Sequence, residues 1–595
     1  MVNNKMQCRY LKWFISSFFI SFALMRLTGM AANHPVSIII FIVGFYVLSV
    51  LNGDNVQSRI QKRDTLIAAI VGVIFWGRSL AARDGTLTGA LTRGLFCAFV
   101  LSATSIGLFL MYFFFSIWFL QAAGGLHIAE RIESSRRLGL FAFVLCILCW
   151  FAYFLYEYPG VMTPDSVNQF AQVIGAYELS NHHSIVHTAL IGFFYRIGFS
   201  LTQDAHFGLA LYTLAQMFFM AFVVAYVVKT LQKAGVKPFL ILMAILFYAL
   251  TPYNGIYAVT MWKDVPFAGC FTLFLAALMR FLLCGKDAGV PLVPKLGRKE
   301  YVSIVLPYVF AGVMLCLLRT NGWYAFLASL PFILYVYRKS WKVMVPVHGI
   351  ILLLVLLVKY PVMQIYDIKQ ADFVESLSIP IQQIARVAAY GEKMSDEQAA
   401  FVKNIMDMDK AAEAYRPDVS DGIKNLIRES GMDYLESHKG DFFRHWLLLG
   451  FAHPKTYLDA FVEQTIGFWY PDTAYEVGLA DGIYPNDFGL KWRPLLRGNA
   501  VVKVREILFK LHTLIPLYGM LWSMGFMLWV LILTIALSIR GKLAANALVG
   551  IPLLFLMLTL IVATPVATEF RYAYALFFGM PLFLTAPFVR GRNEA

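Results

Sequence analysis

A single carboxylate follows one of the long apolar runs of this sequence, in the segment YPGVMTPDSVNQF (158–170). Two prolines and a glycine flank Asp165 and interrupt helical structure, because proline lacks a backbone N–H and glycine tolerates unusual dihedral angles. We therefore expect Asp165 at the membrane surface, where a carboxylate can act as general base on an acceptor hydroxyl or amine. The alternative is that Asp165 caps a helix that begins at Ser166.

Three histidines come next, in NHHSIVHT (181–188). His183 and His187 are four residues apart and would share one face of a helix. That spacing is compatible with a metal site. Hydrogen bonding of His182, His183 and His187 to a phosphate or sugar is a second interpretation, and plain packing or capping is a third.

A lysine and an aspartate begin a later apolar run, in MWKDVPF (261–267). Lys263 and Asp264, beside Trp262, are typical of an interfacial anchor. Lys263 is equally suited to placing a cation on a lipid phosphate.

Two further segments carry arginine next to apolar helices. Arg319 and Asn321 lie in LLRTNGWY, and Glu569 and Arg571 lie in ATEFRYAY. An arginine at a membrane helix end is costly unless paired, and binding a phosphate is a natural use of it. The alternative for each arginine is a structural ion pair, with Asp165, Asp264 or Glu569 for Arg319, and with Glu569 for Arg571.

The composition shows which elements must position these residues. The chain has 595 residues, of which 59% are hydrophobic and only 14% charged, with a formal net charge of +14. Soluble proteins carry about 25% charged residues, so this is a polytopic membrane protein. We interpret the positive charge as basic cytoplasmic loops and expect no nucleic-acid partner.

Apolar runs predict about fourteen transmembrane helices. The predicted spans are 11–28, 35–51, 65–82, 95–120, 138–157, 206–228, 238–257, 265–284, 301–318, 323–338, 341–359, 516–539, 544–564 and 572–590.

Basic clusters fall on alternate connections, as the positive-inside rule requires. They include Arg59, the segment ERIESSRR (130–137), Lys229, Lys233, Lys237, Lys286, Lys295, Arg338, Arg540, Lys542, Arg590 and Arg592. The ten candidate residues then share the opposite, outer face. A mixed polar and apolar region, 360–505, is predicted to form a small, mainly helical outer domain, with a capping box at Ser395 and Gln398.

One acid and several cations that converge on one face suit transfer from a phosphate-activated donor. A helix followed by a large outer loop with an early acid, then a multi-helix module, resembles the GT-C superfamily of membrane glycosyltransferases. The strings YPGVMTPDS, HHSIVHT, MWKDVPFA, SIPIQQIARV and EFRYAY are similar to a bacterial, poorly characterised branch. The resemblance covers about residues 138–590.

The resemblance implies an all-α polytopic membrane protein with a GT-C-like module. Residues 1–125 would be accessory helices, 138–359 the module with outer loop 158–205, 360–505 the outer domain and 506–595 C-terminal helices. It implies a polyprenyl-phosphate-linked sugar as donor, a glycan, lipid or protein as acceptor, and catalysis on the outer face of a bacterial plasma membrane.

The resemblance assigns Asp165 as the catalytic acid of the first outer loop. By charge and sidedness, Lys263, Arg319 and Arg571 would bind the donor phosphate. The substrate would be oriented by His182, His183, His187, Asp264, Asn321 and Glu569. Many members of the superfamily carry a paired acidic motif, whereas Pro164 precedes Asp165 here, so we expect no cofactor and do not favour a divalent cation.

Other functions remain open at this stage. A transporter or flippase for lipid-linked sugars would show inverted repeats and polar residues at the bilayer midplane. A polymerase or ligase of lipid-linked glycans would share the outer arginines, and a non-catalytic scaffold would tolerate loss of Asp165. The sequence contains no Walker-type or GxGxxG loop, which argues against an ATP-driven pump.

Overall fold

The computed structural model describes most of the chain, and the described residues are mainly helical. It covers residues 2–30, 35–51, 62–84, 95–124, 126, 128, 136–284, 298–471, 475, 477, 481–515, 517–541, 544–563, 566 and 569–589. Within them the backbone forms helices and isolated bridges, with no extended strand. Several basic clusters that define sidedness lie outside the described residues: Arg59, most of 130–137, Lys286, Lys295, Lys542, Arg590 and Arg592.

The chain divides into two compact units. The first consists of Met1–Leu126, Leu377–Tyr470 and Pro565–Ala567, and the second of His127–Ser376, Pro471–Thr564 and Thr568–Ala595. The predicted outer region 360–505 is therefore divided. Its central part, Leu377–Tyr470, groups with the N-terminal helices, whereas its first part, to Ser376, and its last part, from Pro471, group with the second unit.

The first unit contains four long helices and seven shorter ones. They are α1 Val2–Thr28, α2 Val36–Leu51, α3 Lys62–Asp84, α4 Leu95–Gly124, α15 Ser378–Ala389, α16 Asp396–Ile405, α17 Met408–Ala414, α18 Asp421–Ser430, α19 Met432–Ser437, α20 Lys439–Ala452 and α21 Pro454–Trp469. Helix α4 packs against α1 and α3. The predicted capping box is present, because Ser395 and Gln398 exchange backbone and side-chain hydrogen bonds at the start of α16.

The second unit holds the remaining helices. They are α5 Arg136–Glu157, α6 Pro164–Val173, α7 Ile185–Thr202, α8 Ala205–Lys233, α9 Pro238–Leu250, α10 Pro252–Ala258, α11 Asp264–Cys284, α12 Arg298–Leu318, α13 Thr320–Val336, α14 Trp341–Leu357, α22 Asn499–Leu514, α23 Met524–Arg540, α24 Ile551–Ala563, α25 Tyr574–Phe578 and α26 Met580–Thr585. Helix α11 lies at the centre, packed against α8, α12 and α25. A π-helical turn, Val358–Val362, extends α14.

Hydropathy identifies an α-helical membrane protein. In the described part of the chain, eight helices are long and apolar enough to cross a bilayer, and α9 and α10, bent by 54° at their junction, pass the same test as a pair. Three shorter apolar helices, α2, α12 and α23, add to these. A helix or helix group stands at every predicted span, but 572–590 is broken into short pieces. The breaks come where Pro581 and Pro587 begin new turns, because proline cannot donate the backbone hydrogen bond that would continue a helix.

Helix α7 passes the length and hydropathy test, yet both of its ends are held near the end of α5. Before α7, the imidazole of His183 lies 3.9 Å from the carboxylate of Asp165. After α7, Arg493 reaches within 3.8 Å of Asp204, and its backbone N–H bonds the carbonyl of Tyr158 at 3.1 Å. These contacts link both ends of α7 to the segment 158–165.

Candidate functional site

The segment before Asp165 is clamped by backbone hydrogen bonds to two other parts of the second unit. Val161 donates to Val259 at 3.0 Å and accepts from Met261 at 2.9 Å. Met162 donates to Gly482 at 2.9 Å on its other side. Gly160 has a φ of +143°, a conformation that favours glycine and that ends α5 abruptly. These bonds place the start of α6 beside the start of α11.

Asp165 lies in the first turn of α6 but does not cap it. The N-cap is Thr163, whose hydroxyl accepts a 2.7 Å hydrogen bond from the indole of Trp262 instead of bonding α6. The carboxylate of Asp165 points away from its own helix and accepts a 2.8 Å hydrogen bond from Arg571. The capping interpretation of Asp165 is therefore wrong, and the side chain is available to a site.

Arg571 is the centre of the polar cluster. Its Nη1 lies 2.8 Å from Asp165 Oδ2 and 4.0 Å from Asp264 Oδ2, and its Nε lies 3.0 Å from Glu569 Oε2. The guanidinium also lies over the indole ring of Trp262, with 4.7 Å between Cζ and the ring centroid. One guanidinium thus joins three carboxylates from three separate segments of the chain.

Arg319 forms a buried ion pair with Asp264. The two side chains are 9% and 1% exposed, and Nη1 of Arg319 bonds Oδ1 of Asp264. The guanidinium also faces the ring of Tyr572 at 4.7 Å. Oδ2 of Asp264 has no hydrogen-bond partner and lies 4.0 Å from Nη1 of Arg571. The structural-pair interpretation of Arg319 is thus confirmed for Asp264.

Lys263 differs from the two arginines. Its ammonium lies 3.4 Å from Nδ1 of His183, and within the described residues it makes no ion pair with a carboxylate. The other ring nitrogen of His183 lies 3.9 Å from Asp165 Oδ1, and the exposed ring of His182 stands edge-on to His183 at 4.7 Å. Among the described residues, Lys263 is therefore the cation of the cluster that has a histidine rather than a carboxylate within 4.0 Å.

The electrostatics of the cluster fix its charge states. Burial tends to raise the pKa of Asp165, but Arg571, His183 and Lys263 together hold it well below its usual range. Burial and the adjacent Lys263 lower the pKa of His183 to about 3, and burial lowers the pKa of Lys263. At neutral pH, Asp165 is a carboxylate and His183 is a neutral imidazole.

Two predicted site residues lie apart from the cluster. His187 is fully buried, and its ring nitrogens bond Gln169 at 2.8 Å and Tyr212 at 2.6 Å. Asn321 donates to Thr559 at 3.1 Å and so ties α13 to α24. In the described part of the chain, no group of three His, Cys, Asp or Glu side chains is arranged to hold a metal ion.

The sequence interpretation missed two features that shape this cluster. Tyr572 contacts both guanidiniums, at 4.7 Å from Arg319 and 5.1 Å from Arg571. The sequence could have indicated Tyr572, because it directly follows Arg571 in EFRYAY. The second feature is the segment after Asp481, where the N–H of Gly482 bonds the buried carboxylate of Glu157 at 2.8 Å. No local pattern identifies that contact, because it joins residues more than 300 positions apart.

Comparison with known proteins matches one family model, whose match begins at residue 174. A family model described as "Family of unknown function (DUF6020)" matches residues 174–595, which include Lys263, Arg319 and Arg571 and begin after Asp165. No curated protein and no solved structure matches the chain. Because the family match spans more than half of the sequence, the chain belongs to the DUF6020 family.

Proposed function

We propose that the protein is a membrane glycosyltransferase of GT-C type, which moves a sugar from a polyprenyl-phosphate carrier to an acceptor of the cell envelope. The observation that carries the proposal is the contact of Asp165 with Arg571, inside a cluster that also holds Lys263, His183 and Glu569. A carboxylate next to several cations suits a reaction in which phosphate leaves while an acceptor loses a proton.

Lys263 would receive the donor phosphate first, since no described carboxylate pairs with it. His183, at 3.4 Å from Lys263, would provide a neutral hydrogen-bonding group at the same place. Arg571 would then turn part of its hydrogen bonding from Asp165 to the phosphate. Arg319 would act through Asp264, which it holds in place near Arg571, and is a positioning residue in this scheme.

Asp165 would act as general base on the acceptor hydroxyl or amine. While Arg571 holds it, the low pKa of Asp165 makes it a weak base. A donor phosphate that draws Arg571 away would raise that pKa and strengthen the base. The acceptor attacks the anomeric carbon, the bond from that carbon to the phosphate oxygen breaks, the phosphate leaves with the electron pair, and Asp165 takes the acceptor proton.

The test is turnover by the purified, reconstituted protein with a panel of polyprenyl-phosphate sugars and labelled acceptors. Asp165→Asn is expected to lower turnover by about 100- to 10,000-fold, the usual contribution of a general base. Asp487→Asn serves as the matched control, because Asp487 is exposed and lies outside the cluster.

Three outcomes would count against the proposal. Equal turnover by the wild type and Asp165→Asn would remove Asp165 as base. Failure of the wild type with every polyprenyl-phosphate sugar would reject the donor class. Movement of an intact lipid-linked sugar across the vesicle, with no new glycosidic bond, would replace the enzyme by the transporter alternative.

A further inference from the structure

Helix α22, Asn499–Leu514, is a helix of the second unit with no buried residue along its length. Several of its large apolar side chains are among the exposed ones of the protein, including Val504 at 56%, Ile507 at 58% and Leu514 at 70%. An apolar surface of this kind on one helix calls for a partner.

Helix α22 has one face that contacts the protein and another that is apolar and exposed. One face contacts the protein, where His512 stacks on Trp522 at 4.6 Å and Phe509 meets the same ring at 6.0 Å. A second face is an apolar stripe at helical spacing, formed by Ala500, Val504, Ile507, Leu511 and Leu514.

Two exposed lysines, Lys503 and Lys510, border this stripe on the side away from the protein contact. They are seven residues apart, which places them one above the other on the helix surface. Lysine stems can lie along apolar surface while their ammonium groups reach a polar layer. The stripe and its lysine border together match a helix that rests at a membrane surface.

The position of α22 in the chain points to the same partner. A short turn, Tyr518–Trp522, joins it to α23, one of the apolar helices, and Ser523 caps the start of α23. Leu517 in this connection is 75% exposed. The apolar stripe is therefore continuous with the beginning of an apolar helix, where a bilayer surface would lie.

We propose that α22 lies in the plane of the membrane at the N-terminal end of α23, with its apolar stripe in the acyl boundary and Lys503 and Lys510 at the lipid phosphates. The occupant of the stripe is a lipid bilayer surface. This inference does not depend on the proposed glycosyltransferase function.

The test uses spin labels on single cysteines, in full-length protein whose seven native cysteines have been replaced. The labelled protein is placed in nanodiscs of phosphatidylcholine and phosphatidylglycerol. Collisions with oxygen, which enters lipid, are compared with collisions with a water-soluble nickel chelate. The variant Ile507→Cys reports on the stripe, and Lys510→Cys, three residues later, is the matched control.

The ratio of oxygen to nickel collisions is expected to be several-fold higher at position 507 than at position 510. Val504→Cys should behave like Ile507→Cys, which keeps the test valid if one variant fails to fold. Ratios at 504 and 507 that are as low as the ratio at an exposed, water-facing site would overturn the proposal, because the stripe would then face water, and a ratio at 510 as high as at 507 would overturn the placement of Lys510 at the lipid phosphates. Low collision rates for both reagents at 504 and 507, with spin–spin broadening, would also overturn it, because a second copy of the chain would then cover the stripe.

Discussion

The ion pair between Arg319 and Asp264 offers a test that needs no substrate. The perturbation is a double-mutant cycle of Arg319→Met, Asp264→Leu and the two changes together. Both side chains are nearly excluded from solvent, with 9% and 1% of their surface exposed. Each single substitution therefore leaves an opposite charge buried without its nearest partner.

The magnitude follows from the contacts that remain. Breaking a buried pair from one side typically costs about 3–5 kcal/mol. After Arg319→Met, Asp264 still has Arg571 at 4.0 Å, and after Asp264→Leu, Arg319 still faces the ring of Tyr572 at 4.7 Å. We therefore expect the lower end, about 3 kcal/mol for each single variant. Removal of both charges should restore most of that loss, because an apolar replacement of a buried pair is often neutral.

The assay is the midpoint of thermal unfolding of the protein in detergent, followed by intrinsic tryptophan fluorescence. Both side chains belong to the second unit, which has about 370 residues, so about 3 kcal/mol corresponds to a decrease of roughly 4 °C. Each single variant should show such a decrease, and the double variant should lie close to the wild type. Additive losses in the double variant would refute the reasoning, because the two side chains would then act independently.

Three other substitutions test neighbouring contacts. His187→Phe removes one hydrogen-bond partner from each of Gln169 and Tyr212, so the free energy of unfolding should fall by about 1–3 kcal/mol, and an unchanged thermal midpoint would contradict a structural role. Lys263→Gln should raise the donor KM more than it lowers kcat, because Lys263 is proposed to bind the donor phosphate. A larger effect on kcat than on KM would assign Lys263 to the chemical step instead. The pKa of His183 is about 3 in the folded chain, below its ordinary 6.5, so the unfolded chain binds the proton more readily and stability should fall as the pH drops below 6.5. His183→Gln should flatten that dependence in thermal melts between pH 7 and 5, and an identical slope would show that other groups cause it.

Hydropathy located helical segments because a membrane helix must satisfy its backbone hydrogen bonds within one segment of the chain. The predicted number of fourteen spans is not confirmed, since eight described helices pass the length and hydropathy test and one of them, α7, was not a predicted span. The same locality explains why the capping box at Ser395 was predicted, since its two partners are three residues apart. Helix α7 shows the limit of this reasoning. Its composition suits a membrane span, and only contacts of distant residues show that both of its ends are linked to the segment 158–165.

The sequence predicted which charged residues lie on the same side, but it did not predict their contacts with one another. The order of the predicted spans grouped Asp165, Lys263, Arg319 and Arg571 on one side. This was possible because the apolar run next to each charged residue shows at which end of a helix that residue lies. Which cation meets which carboxylate depends on the approach of separate segments, and no spacing in the sequence encodes it. His187 illustrates the difference, because its four-residue spacing from His183 suggested a shared role, whereas the structure turns its ring to Gln169 and Tyr212.

The charge balance of the cluster restricts how any anion can enter it. Asp165, Asp264 and Glu569 oppose the two arginines and Lys263, so the cluster has no fixed excess of positive charge. An entering phosphate must therefore displace a carboxylate from a cation or meet the lysine that has no described carboxylate partner. Arg571 is the guanidinium that can be shared, since its Nη1 already lies between Asp165 at 2.8 Å and Asp264 at 4.0 Å. Arg319 is less available, because its partner Asp264 would be left buried and charged. In the proposed reaction, an anion at Lys263 and Arg571 would compete with Asp165 for the guanidinium of Arg571 and so raise the basicity of this carboxylate.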